Sequence, residues 1–232
     1  MSRATIDWNA YIDAYCERTA PGFWAEPLNS VTNLAFVLAA ALLLRALLAL
    51  PPSPDMPSRR PALAMLIGLL AAIGVGSFLF HTVATRWAAA ADVLPIYAFM
   101  HVYAACFLRL GAGLPWRLAW LGAPGFFVLA QGVGQVLPPA TLGMGGYAPA
   151  LLALLLFAAW RAVAGDVRWR GLAAGAVVFS VSLALRQADL PLCARWPLGT
   201  HFLWHLLNAL TLYLVTRALW PVASPRMSAS AA

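Results

Sequence analysis

Four histidines occur in the chain, and three of them are placed where they could act together. His201 and His205 stand four residues apart, so on a helix they share one face about a turn from each other. Two imidazoles in that relation can grip one metal ion. Ser77 and His81 repeat the same four-residue spacing in another apolar segment, and Asp92 follows across a short connection. Three histidines plus an open position make the ligand count of a catalytic zinc site. A neighbouring carboxylate supplies a general base, and a serine hydroxyl can donate to a developing oxyanion. The pattern therefore predicts metal-assisted hydrolysis, with His81, His201 and His205 as ligands and Asp92 and Ser77 as catalytic groups. Each residue also has a plainer reading. Asp92 with Pro95 behind it could be a helix cap, Ser77 a packing residue, and His101 a helix–helix hydrogen-bond partner.

These groups must be positioned by membrane helices. The chain is 62% hydrophobic and 10% charged, against about 45–50% and about 25% in an ordinary soluble domain. That composition excludes a cytosolic globule, a disordered chain and a fibrous protein. Seven apolar stretches, at 29–50, 62–83, 92–110, 116–136, 147–163, 171–188 and 200–220, are separated by Pro, Gly and Arg. The strongest breaks are 51–61 and 137–146. The expected fold is all-α: an extramembrane segment at 1–27, a seven-transmembrane helix bundle at 28–221 and a short tail at 222–232. Residues 1–27 lack an apolar core and hold Asp7, Asp13, Glu17 and Glu26, unlike a signal peptide. Gly68, Gly74 and Gly76 are read as close helix packing, and Trp116, Trp169 and Trp220 as an interfacial belt.

Every basic residue is arginine, and ten of the fifteen fall on the side of the 51–61 connection. Those ten are Arg45, Arg59, Arg60, Arg109, Arg117, Arg161, Arg168, Arg170, Arg217 and Arg226; the other side has Arg3, Arg18, Arg86, Arg186 and Arg195. The positive-inside rule then predicts an N-terminus outside and a C-terminus in the cytoplasm. Alternating helix direction brings His81, Asp92, His201 and His205 to one depth near the outer leaflet. No basic run exceeds two residues, which excludes a nucleic-acid-binding stripe. No obligatory protein partner is evident; the partners expected are the bilayer and a membrane lipid. Cys16, Cys106 and Cys193 are too few for a disulfide framework, although Cys16 and Cys193 could meet.

The motifs YCER (15–18), FWAEPLNSVTN (23–33), GVGSFLFH (74–81), AADVLP (90–95) and HFLWHLLNALTLY (201–213) occur in this order. Together they resemble the alkaline ceramidase family, within the CREST group of seven-helix membrane hydrolases and receptors. The resemblance implies a zinc amidase that cleaves the N-acyl bond of ceramide, or a ceramide-like lipid, into a fatty acid and an amine base. It places the family's serine and histidine on Ser77 and His81, its aspartate on Asp92 and its histidine pair on His201 and His205. It also implies a calcium site, with Glu17 and Glu26 at two carboxylate positions. Ala14 and Thr19 stand where that site has an aspartate and an asparagine. A polar cap closing the bundle is the other reading of Glu17 and Glu26. Aromatic residues such as Phe78 and Trp204 would line the lipid cavity or pack in the core. Two further classes remain open: a receptor-like, non-enzymatic zinc membrane protein, and a haem-binding electron carrier. The Ala- and Arg-rich, lysine-free composition points to a bacterial inner-membrane protein.

Overall fold

The computed structural model describes residues 6–54, 56–137 and 146–221. Arg3, Asp55, Arg226, most of the 137–146 break and the 222–232 tail lie outside the described residues. The architecture is all-helical: α1 Pro27–Thr32, α2 Leu34–Leu48, α3 Met56–Val83, α4 Arg86–Cys106, α5 Trp116–Ala119, α6 Gly122–Val136, α7 Ala148–Val163, α8 Trp169–Leu192 and α9 His201–Arg217. A π-helical turn, Phe107–Gly111, extends α4. Among the described residues the only β pairing is a single bridge between Tyr11 and Thr85.

Among the described residues, four helical stretches are long and apolar enough to cross a membrane: Pro27–Leu48, Met56–Val83, Arg86–Gly111 and Trp169–Leu192. The other three apolar stretches form helices of 15, 16 and 17 residues. At 1.5 Å per residue these are about 22–26 Å long, shorter than the ~30 Å hydrocarbon core. Apolar side chains also cover the outside. Leu38, Val128 and Val177 are each more than half exposed. Such a surface is costly in water and inexpensive in lipid.

Several boundaries differ from the sequence expectation. α3 starts at Met56 and runs through Pro61, which the composition had marked as part of a break. Pro61 lies near the helix start, so only the carbonyl of Pro57 loses a partner. α8 likewise continues through Pro191 near its end. Asp92 is not a cap: α4 begins at Arg86 with Thr85 at its N-cap position, which puts Asp92 in the second turn and Pro95 inside the helix. Trp220 is buried rather than interfacial.

Pro95 has a consequence for α3. Lacking an N–H, it leaves the Ala91 carbonyl without its helical donor. α3 approaches that carbonyl at Gly76, where a Cβ would collide with the Ala91 oxygen. The missing side chain lets the two backbones meet, and it sets Ser77 beside Asp92. Gly74 makes the matching approach to α2, against Phe36 and the Asn33 carbonyl, whereas Gly68 has no close neighbour. The apolar core, with Leu43, Leu63, Leu66, Leu70 and Phe107 essentially inaccessible, joins α2, α3, α4, α8 and α9.

Candidate metal centre

The C-terminal end of α3 and the N-terminal ends of α4 and α9 meet at one end of the molecule. Residues 6–26 lie over that end. Tyr11 pairs with Thr85, Ile12 N–H donates to the Ala84 carbonyl at 2.8 Å, and a Cys16–Cys193 disulfide ties the segment to the end of α8. Cys106 is free and buried. Asp189 completes this anchoring. One of its carboxylate oxygens accepts from the Cys16 N–H at 3.0 Å; the other accepts from Thr200 and His201 N–H at 2.7 and 2.9 Å. The first turn of α9, which carries His201, is thus capped from α8. Gly199 makes the turn possible, with a φ of 65° and no room for a Cβ against the Asp189 carboxylate.

His81, His201 and His205 converge as their spacing predicts. One ring nitrogen from each lies within 4.8 Å of the others, and all three residues are buried. Hydrogen bonds at the far nitrogens assign the tautomers of His81 and His205. His81 Nδ1 lies 2.6 Å from the Glu26 carboxylate, which can only accept, so Nδ1 carries the proton. His205 Nδ1 lies 3.0 Å from the Thr32 hydroxyl, whose own proton goes to the Leu28 carbonyl at 2.7 Å; here too Nδ1 must donate. That leaves Nε2 of His81 and of His205 as bare lone pairs, and both are buried with no hydrogen-bond partner, as is His201 Nδ1. Buried polar atoms rarely stay unsatisfied. Converging rings that each leave one buried nitrogen without a partner fit a metal ion, and the protonated far nitrogens of His81 and His205, bonded to Glu26 and Thr32, are the usual support of metal-bound histidine.

Ser77 and Asp92 belong to the same site. Both line a polar pocket with His201, His205 and Tyr15. Ser77 is buried, while Asp92 is partly exposed. The Tyr15 ring stacks on His201, with centroids 3.7 Å apart and planes 22° from parallel. A second, apolar cavity of about 70 Å³ adjoins the polar one, and the two share Ile73, Ile96, Tyr147 and Asn208 as lining. Ala104, Phe126, Ala153 and Phe157 continue that apolar lining toward a space of about 240 Å³ bounded by α4, α6 and α7. Trp204 lines the polar pocket, whereas Phe78 packs on Phe23 and Trp24. His101 Nδ1–H donates within its own helix, to the Tyr97 carbonyl at 2.7 Å, and sits apart from the centre.

Glu17 and Glu26 have other work than binding calcium. Glu17 accepts from the N–H groups of Leu28 and Asn29 at 2.7 and 2.8 Å and so caps α1. Burial pushes its carboxyl above the usual range, and those N–H donors oppose the rise. Glu26 accepts from Arg18, from the Asn29 amide at 2.9 Å and from His81. Burial raises its carboxyl, but His81, Asn29 and Arg18 together hold it below the ordinary range. Carboxylates surrounded by N–H donors and a guanidinium do not offer the all-oxygen shell that calcium requires.

The groups that support the ligands have no signature along the sequence. Glu26 is 55 residues from His81, and Thr32 is 173 from His205, so no spacing rule connects either pair. Arg18, which bridges Glu26 and the His81 carbonyl at the end of α3, was equally hidden. The sequence matches no family model and no curated protein.

Proposed function

We propose that the chain is a zinc-dependent integral-membrane amidase that hydrolyses the N-acyl bond of ceramide or a ceramide-like lipid. The observation that carries this reading is the set of three orphaned, buried histidine nitrogens in a pocket shared with Ser77 and Asp92, adjoining an apolar cavity. In this reading the three shorter helices also cross the bilayer, making seven spans, with the N-terminus outside and the C-terminus in the cytoplasm. Zinc is favoured over other ions because three neutral imidazoles leave one tetrahedral position open for water.

His81, His201 and His205 would hold the ion, which when bound would supply the charge that lowers the pKa of water to about 7 and polarises an amide carbonyl. Asp92 takes a proton from the attacking water and returns it to the amide nitrogen as the C–N bond breaks, releasing a fatty acid and a free amine. Ser77, which lines the same pocket as Asp92, turns its hydroxyl toward the developing oxyanion. The acyl chain lies along Ile73, Ile96 and the apolar lining beyond, entering between helices from the bilayer. Tyr15 and the disulfide-anchored segment keep bulk water off the centre from the other side.

The test is fatty-acid release from a long-chain ceramide by wild type and Asp92→Asn at equal zinc occupancy. Asn keeps the volume and, since Asp92 is no cap, leaves α4 intact. Positioned bases contribute about 10²–10⁴-fold, so kcat should fall by about that factor. Equal nonzero rates defeat the mechanism. Zero turnover in both, with zinc bound, favours the receptor-like reading.

A further inference from the structure

The face of α9 that presents His201 and His205 carries one more polar group. Asn208 follows His205 by three residues, so it stands about one turn farther into the bundle on the same side. It is buried, and it lines both the polar pocket and the apolar cavity. The other residues common to the two spaces are Ile73, Ile96 and Tyr147. Ile73 lies about one helical turn before Ser77 on α3, and Ile96 about one turn after Asp92 on α4. Asn208 thus occupies the level at which the polar site gives way to the apolar space.

Among the described residues, three buried side chains on the wall of the apolar cavity carry hydrogen-bonding atoms: Tyr103, Asn208 and Thr211. The Tyr103 hydroxyl donates to the Val215 carbonyl and the Thr211 hydroxyl to the Leu207 carbonyl, each at 2.9 Å. The Asn208 carboxamide bonds no group among the described residues, and it is not sealed in protein as the amide oxygens of Asn29 and Asn33 are. It opens on the junction with its acceptor oxygen and its amide N–H groups unused. A carboxamide in that state bonds what fills the junction, water at rest or a polar group of a ligand.

A secondary amide is planar and trans, so its C=O and N–H point to opposite sides. In the amidase reading the carbonyl faces the histidines and Ser77, and the acyl chain runs along the apolar cavity. The N–H then needs an acceptor of its own. The histidine lone pairs face the ion position, the Ser77 hydroxyl donates and Asp92 takes the water proton, which leaves the Asn208 oxygen. We infer that Asn208 recognises the amide group itself: its Oδ1 accepts the N–H of a secondary N-acyl amide, and the site thereby selects such amides over esters and tertiary amides with the same acyl chain. This rests on the amidase reading for the way the substrate lies. An ester in the same orientation leaves Oδ1 unpaired in a buried site, the condition under which discrimination is strongest.

Two measurements separate the failure of each idea. The first is binding, by calorimetry in detergent micelles, of N-palmitoylethanolamine and of its ketone analogue, in which a methylene replaces the amide N–H. It is made in the Asp92→Asn background, where loss of the base slows hydrolysis by about 10²–10⁴-fold, with and without Asn208→Leu. Leucine is close to asparagine in shape and suits the apolar wall. Asn208→Leu should lower the ratio of amide to ketone affinity about tenfold, as expected for one hydrogen bond in a buried site. An unchanged ratio overturns the inference even where both affinities fall, since a packing role weakens both ligands alike. Failure of the Asp92→Asn protein to bind the amide overturns it too. Asn208→Ala serves if the leucine variant does not fold, and it should lower the ratio in the same way. The second measurement is fatty-acid release from N-palmitoylethanolamine by the protein with Asp92 intact. Release with an unmoved ratio sinks the Asn208 assignment and leaves the amidase, whereas a lowered ratio without release sinks the amidase and leaves Asn208 as the residue that recognises the amide.

Discussion

At the scale of single residues, the centre is defined less by the histidines than by what bonds their far nitrogens. Glu26 and Thr32 fix two of the three rings in the tautomer that presents Nε2. Supporting bonds of this kind typically change metal affinity by about 10–100-fold. Glu26→Gln keeps the shape and can still accept from His81, but removes the charge that makes the imidazole a stronger donor. Zinc affinity, measured by competition with a chelator, should fall by about that factor. An unchanged affinity would reduce Glu26 to an anchor for Arg18. His205→Ala removes a ligand outright, so the zinc content of about one ion per chain expected for the wild type should drop to near zero. If zinc content survives in alanine variants of His81, His201 and His205 taken singly, the ligand assignment is wrong.

At the scale of elements, two connections hold the helices in register at opposite ends. At the metal end, Asp189 and the Cys16–Cys193 disulfide join the N-terminal segment to α8 and α9. At the other end, Asp166 lies in the turn between α7 and α8 and binds Arg168 and Arg161, while Arg168 also reaches the Trp220 carbonyl beyond α9 at 3.3 Å. The Arg168 bond, aided by Arg161, holds the Asp166 carboxyl well below the ordinary aspartate range. A depressed folded-state pKa adds stability that is fully present above the unfolded value of about 3.9 and is lost as pH falls toward the folded one. Asp166→Asn leaves the buried Arg161 without its counter-charge, a loss on the order of 3 kcal/mol at neutral pH. Thermal unfolding in detergent should show a lower Tm for Asp166→Asn at pH 7, and the gap should narrow below about pH 4. A gap that is the same at both pH values would mean the ion pair contributes nothing.

At the scale of the whole molecule, length and hydropathy qualify four stretches among the described residues as candidate spans, and the main helices of the other three apolar stretches are 15–17 residues long. The count matters because it decides where the termini lie and which leaflet the site faces. Seven spans with the observed arginine distribution predict the metal end outside. A reporter active only in the cytoplasm should then work when fused after residue 226 and fail when fused before Arg3. The reverse pattern would place the site at the inner leaflet. Activity of both fusions would mean an even number of spans, and the shorter helices would then not all cross.

The convergence of His81, Asp92, His201 and His205 was legible in the sequence because it depends only on helix period and alternating direction, both local properties of the backbone. The same holds for the helical class and for most of the apolar segments. Other features were not legible. The starts of α3 and α4 were misread because proline and polar residues weaken a helix signal without forbidding the helix near its open end. The partners Glu26, Thr32, Arg18 and Asp189 reach their targets across different elements, and so does Arg186 in lining the pocket. Which side chain satisfies a buried nitrogen depends on how helices rotate and slide against each other, and those freedoms are settled by packing at positions such as Gly76 and Ala91 rather than by spacing along the chain. Sequence determined which residues could do the chemistry; tertiary packing decided which lone pairs were left free to do it.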